Sequence, residues 1–170
     1  FRESGIYDFF IVVSNAWCGH LVENNTGSGY RPIMFANSAV SWSDLESSQG
    51  SFELGDLREA LTTATTDGLA VHLLIETIDS DGFSLPPDLI DTDVQYGLQN
   101  GMHFDDPVIL TRFAALLDRV LPELDGYRVF AISVGNEPDN RLDDIAPGSP
   151  EGLAWVDENA RFLGAARTKI

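Results

Sequence analysis

Val129-Phe130-Ala131-Ile132-Ser133-Val134-Gly135-Asn136-Glu137-Pro138-Asp139 is an apolar run that stops abruptly at an Asn-Glu pair. Val129, Phe130, Ala131, Ile132 and Val134 make the short, nearly continuous apolar pattern of a strand buried on both faces of a parallel sheet. Gly135 and Pro138 end it. Ligands of parallel α/β sheets meet the chain at the carboxyl ends of the strands, which puts Asn136, Glu137 and Asp139 where chemistry is usually done. A strand followed by a polar turn is the plainer reading of the same residues, and position alone does not exclude it.

Upstream of this run, Asp106 and Pro107 have the form of a helix cap and first helical residue. The helix they open is expected to bury Val108, Phe113, Leu116, Leu117, Val120 and Leu124, and Asp125-Gly126 closes it. Before it, a long connection from Ser80 to Asp105 exceeds the length of an ordinary loop, so it is expected to be functional or mobile. Leu69 to Ile75 reads as another buried strand, ending in Glu76, Thr77 and Asp79. Leu54, Leu57, Leu61 and Ala64 recur at helical spacing, with Gly68 as the left-handed stop. Asp44 to Glu53 reads as a loop, Ile33 to Val40 as a strand, and Ile6 to Ser14 as a first strand rich in aromatic and β-branched residues. Downstream, Asn140 to Gly148 reads as a loop, and Ser149-Pro150-Glu151 opens a helix with Leu153, Val156, Ala160, Leu163 and Ala166 as its apolar positions. Strands alternating with helices imply a parallel sheet with right-handed crossovers. Three to four β/α units are expected.

The chain has 170 residues, 44% of them hydrophobic, which suits one globular domain. A formal net charge of -17 with only ten Lys and Arg argues against a nucleic-acid partner and for neutral or cationic ligands. No window reaches the roughly 18 apolar residues of a membrane span. Cys18 is alone, so neither an intrachain disulfide nor a cysteine-pair metal site is available. Asn24-Asn25-Thr26 is a glycosylation sequon that matters only in a eukaryotic secretory route. The chain begins at Phe1 without Met and ends inside a helical pattern, so a fragment or processed piece is expected.

Four segments occur in order: Trp42-Ser43-Asp44-Leu45-Glu46, Gln49-Gly50-Ser51-Phe52, Gly68-Leu69-Ala70-Val71 and Gly135-Asn136-Glu137-Pro138. Their succession resembles the front half of a retaining (β/α)8-barrel glycoside hydrolase, of the clan whose fourth strand ends in Asn-Glu, over about residues 33 to 170. The resemblance implies an α/β chain of (β/α)8 TIM-barrel type, with residues 1–170 as the N-terminal part of one barrel domain. It implies a hydrolase acting on β-linked oligo- or polysaccharide by double displacement. Glu137 would be the acid/base and Asn136 would bind the sugar 2-hydroxyl. A retaining enzyme also needs a second carboxylate about 5–5.5 Å away. In this clan that nucleophile comes from strand seven, beyond these residues, so the chain alone is expected to be inactive. Its unpaired edges and apolar faces make self-association a further expectation. A secreted or extracytoplasmic location is expected, with no cofactor.

Glu76 and Asp79, at a strand end facing the same cleft, are candidates for contact with sugar hydroxyls. Glu46 is a candidate for the same contact or for capping and bracing a loop. Trp42 has two readings, stacking on a sugar ring or packing between helix and barrel, whereas Trp17 and Trp155 read as packing residues. His72 reads as barrel-lining, and His20 and His103 have no spaced partner that would make a metal site. Met34-Phe35-Ala36-Asn37 lacks the Arg often found on the second strand of this clan, which leaves sugar binding there open. A catalytically silent carbohydrate-binding or structural relative, and a barrel lyase or isomerase using a metal or phosphate site, remain as alternatives.

Overall fold

The computed structural model describes residues 35–146 and 148–170. The expected first strand, Ile6 to Ser14, lies outside the described residues, as do Trp17, Cys18 and His20. The described chain opens with β1 (Phe35–Ser41). Ser41 then caps a one-turn helix, α1 (Trp42–Leu45), by accepting the Asp44 N–H at 3.0 Å. β2 (Glu46–Ser48) turns at Gly50, whose φ is +76°, into β3 (Ser51–Phe52). The stretch read as a loop therefore carries a helical turn and a small hairpin.

α2 (Gly55–Thr66) buries Leu57, Leu61 and Ala64, as their spacing predicts. Gly68, at φ +72°, ends it while the Leu69 N–H returns to the Ala64 carbonyl at 2.8 Å. Only a residue without a Cβ takes that backbone at no cost. β4 (Ala70–Glu76) follows. The long connection is then built from two small antiparallel hairpins, β5 (Ile78–Asp79) with β6 (Gly82–Phe83) and β7 (Ile90–Asp91) with β8 (Gly97–Leu98). It buries Phe83, Leu85, Leu89, Tyr96, Leu98 and Phe104 in the common core.

α3 (Pro107–Glu123) has Asp106 at the cap and Pro107 first, but the Asp106 carboxylate accepts the His103 N–H at 2.7 Å instead of a helix amide. Its buried face is Ile109, Arg112, Phe113, Leu116, Leu117 and Val120. Val108, expected inside, is 53% exposed. β9 (Val129–Val134) and the short α4 (Asn140–Asp144) precede α5 (Pro150–Lys169), whose cap Ser149 accepts the Gly152 N–H at 3.1 Å. The apolar face expected for α5 is rotated. Leu153 and Val156 are exposed, while Trp155 and Phe162, two turns apart, are buried with Ala166. The two aromatic rings carry more apolar area than the aliphatic pair, so their stripe decides which side turns inward.

β1, β4 and β9 form one parallel sheet in that order, with α2 and α3 as the crossovers. Register places Leu73 beside Ile132 and Ile75 beside Val134, and these four are buried under the helices. On the other face lie His72, Leu74 and Glu76, all half-buried, next to Ala131 and Ser133. Val71 and His72 oppose Val129 and Ala131, so Phe130 is an extra residue, a β-bulge. The fold is α/β of the (β/α)8-barrel type, represented among the described residues by three β/α units. No helix among the described residues is long and apolar enough to cross a membrane.

Candidate active site at the carboxyl edge of the sheet

The sheet's hydrogen bonding continues past β9, because the Gly135 N–H donates to the Ile75 carbonyl at 2.9 Å. Gly135 has φ +84° and Glu137 has φ +44°, so the chain swings out of the sheet through two left-handed residues. For a residue with a Cβ this conformation costs about 1–2 kcal/mol, and such strain persists only where the surroundings impose it. The Glu137 carbonyl accepts the Asn140 N–H at 3.0 Å, and its Oε2 accepts from Asn140 Nδ2 at 2.7 Å. Asn136, Glu137 and Asn140 are all half-buried. The structure therefore places Glu137 at the mouth of the sheet with one carboxylate oxygen already held.

Glu76 ends the neighbouring strand on the same edge. Burial pushes its carboxyl above the usual glutamate range, and the charges of Asp79, Asp44 and Glu137 push it further. Glu76 ends β4 and Glu137 follows β9, its neighbour in the sheet, so both lie at the same edge. Asp79 is also at this edge, but its carboxylate is committed to its own turn. Oδ1 accepts the Asp81 and Gly82 N–H groups at 2.8 and 3.1 Å, and Oδ2 accepts the Ser84 hydroxyl at 2.8 Å. On the inner face, His72 Nε2 and Ser133 Oγ share a 2.7 Å hydrogen bond, and burial holds the His72 pKa below its ordinary value. The barrel-lining reading of His72 matches this position.

Trp42 is not on the cleft wall. Its side chain is fully buried, edge-on to Phe113 at 4.9 Å between ring centroids, and its indole N–H donates to Glu46 Oε2 at 2.8 Å. No ring face is left for a sugar, so the packing reading replaces the stacking one. Glu46 is buried too, and of its two readings the structure shows the brace. Oε1 accepts the Gly50 N–H at 2.8 Å and Arg112 Nε at 3.3 Å. Arg112 extends to Asp88 through bonds of 2.6 and 3.2 Å. The Arg112 hydrogen bonds hold the Asp88 carboxyl below its usual pKa, against a smaller opposing effect of burial.

Sequence reasoning missed Arg112 and Arg141. The Arg141 guanidinium lies 4.8 Å from the Trp155 ring centroid and 5.7 Å from that of Phe83, and Nη1 donates to the Tyr96 carbonyl at 3.0 Å. Trp155 in turn donates its indole N–H to the Pro138 carbonyl at 2.9 Å. The loop carrying Glu137 is thereby fixed from behind by α5 and by the inserted hairpins. A lone Arg four residues after Glu137 carries no sequence signal for this, since its partners are aromatic residues from two other segments. Among the described residues no group of three or more His, Cys, Asp or Glu side chains could hold a metal ion.

No protein-family model matches the chain, and no curated protein is similar to it. Solved structures do resemble it. The exo-beta-1,4-mannosidase Op5Man5 from Opitutaceae bacterium strain TAV5 aligns with 78% of this chain at 28% identity and a TM-score of 0.54. GH5_18 from Bifidobacterium longum subsp. longum aligns with 78% at 19% identity and a TM-score of 0.55. A variant of the latter, in complex with Manb1-4GlcNAc, aligns at 18% identity and a TM-score of 0.55 over the same share. The chain spans 22% of the length of the first and 32% of the other two. The likeness expected from the motifs, to (β/α)8-barrel glycoside hydrolases, is the one that the structure has.

Proposed function

We propose that these residues supply the acid/base half of a retaining glycosidase acting on β-linked oligo- or polysaccharide. The observation that carries this reading is Glu137. A carboxylate on a strained, left-handed residue stands at the carboxyl end of a parallel strand, on the edge where α/β sheets meet ligands, and the half-buried Glu76 ends the neighbouring strand of that edge. In the first step Glu137 gives its proton to the glycosidic oxygen, keeping the O–H electron pair as carboxylate. The C–O pair moves to the leaving oxygen while a second carboxylate, from a segment beyond these strands, bonds to the anomeric carbon. Glu137 then takes a proton from the water that displaces that carboxylate.

Asn136 is assigned to the sugar 2-hydroxyl. Glu76, with its raised pKa, is assigned to a second sugar hydroxyl, as acceptor when ionised and donor when protonated. Asp79 contributes through lone pairs left over from its turn. β-Mannosides are the first substrates to try, because the solved structure at 28% identity is a β-1,4-mannosidase. The test is Glu137→Gln in the full reading frame, assayed on unactivated β-1,4-mannosides and on other β-glycans. At least about a hundredfold loss of kcat is expected, as for other general acids. Wild-type turnover by the variant would refute the assignment.

A further inference from the structure

Glu137 has two carboxylate oxygens, and the structure treats them differently. Oε2 accepts from Asn140 Nδ2 at 2.7 Å, while among the described residues no donor is bonded to Oε1. An oxygen facing an N–H donor at that distance cannot also carry a proton on that side, because two hydrogens would meet. From this we infer that Asn140 is a positioning residue which assigns the proton to Glu137 Oε1 and aims that oxygen at the glycosidic bond; the inference rests on the glycosidase reading above.

Asn140 is itself held in place. Its N–H bonds the Glu137 carbonyl at 3.0 Å, closing one turn around the carboxylate. Arg141, the next residue, is fixed by the Tyr96 carbonyl and the Trp155 ring, and Trp155 is bonded to the Pro138 carbonyl. The amide therefore has a fixed backbone on both sides, and rotation of its own χ angles is the remaining freedom. Without the amide the Glu137 carboxyl is free to rotate, and either oxygen takes the proton. The correctly aimed fraction falls.

Aim matters only when the leaving group needs a proton. The experiment therefore compares kcat/KM on a 2,4-dinitrophenyl glycoside, whose leaving group departs unprotonated, with kcat/KM on an unactivated disaccharide. Wild type, Asn140→Ala, Asn140→Asp and Glu137→Gln are compared in the full reading frame. Asn140→Asp keeps the shape and, when ionised, lacks the donor, so it serves if the alanine variant fails to fold. Both Asn140 variants are expected to lower the ratio of unactivated to activated kcat/KM by about tenfold or more, part of the acid's own contribution. An unchanged ratio, whether both rates fall together or neither does, overturns the role of Asn140. Wild-type rates for Glu137→Gln on the disaccharide would instead overturn the glycosidase reading itself.

Discussion

Replacing Arg112 with Met removes the cation that joins three segments while keeping most of the side chain's volume. Glu46 is then left in the core, 1% exposed, without its ion partner. Breaking a buried pair by removing one partner costs about 3–5 kcal/mol. Here Glu46 keeps two donors, the Trp42 indole and the Gly50 N–H, each at 2.8 Å. These retained bonds to a charged group place the cost at the lower end, about 3 kcal/mol. Asp88 adds little, since it is 47% exposed on its side chain and water replaces the lost partner. For a domain of this size about 3 kcal/mol lowers Tm by about 6–12 °C. Urea unfolding followed by tryptophan fluorescence is the assay, with Trp42 directly against Glu46 as the reporter. Adding Glu46→Gln to Arg112→Met removes the stranded charge and is expected to restore part of the loss. A single variant within about 1 kcal/mol of wild type, or a double variant no better than the single, would refute the reasoning.

Glu76→Gln is expected to stabilise the fold at neutral pH. The folded-state pKa of Glu76 is raised, so the native state binds the proton more tightly and wild-type stability falls as pH rises through the window from the unfolded value to the folded one. The gap between variant and wild type should therefore close on acidification, and a gap independent of pH in thermal melts would contradict it. At position 137, with φ +44°, Glu137→Gly is expected to be more stable than Glu137→Ala by about 1 kcal/mol, because glycine takes the left-handed backbone freely. Denaturant unfolding that ranked alanine above glycine would show that the turn is unstrained.

Elements announced by local pattern were legible in the sequence. β9 followed from a continuous apolar run, α2 from leucines at helical spacing with a terminal glycine, the start of α3 from Asp-Pro and the capped start of α5 from Ser-Pro. The position of Glu137 came with β9. What stayed hidden depended on partners distant in the chain. Glu46 and Arg112 are 66 residues apart, and an Arg on an otherwise apolar helix face gives no hint that a carboxylate waits opposite it. Trp42 reads in sequence as a packing residue or a sugar-stacking one, and the Phe113 ring and the Glu46 carboxylate found against it select packing. The buried face of α5 is ambiguous in the sequence because Leu153 and Val156 continue a helical stripe as well as Trp155 and Phe162 do. Which stripe turns inward depends on the rings it meets, Phe83 and Phe104 of the long connection and Phe113 of α3, and those are contributed by other parts of the chain.

The inserted hairpins have strands of only two residues each, yet the Tyr96 carbonyl and Phe83 ring that receive Arg141 belong to them. Such short ladders open more readily than a parallel sheet buried under helices, and they do so as a unit. Once they open, Arg141 loses its seat and the turn around Glu137 loses its backing, while β1, β4 and β9 remain paired. On the glycosidase reading proposed above, proton delivery by Glu137 is thus coupled to two small hairpins and not to the parallel sheet alone. On warming or in mild denaturant, competence would vanish at a point where far-ultraviolet signals still report an intact sheet.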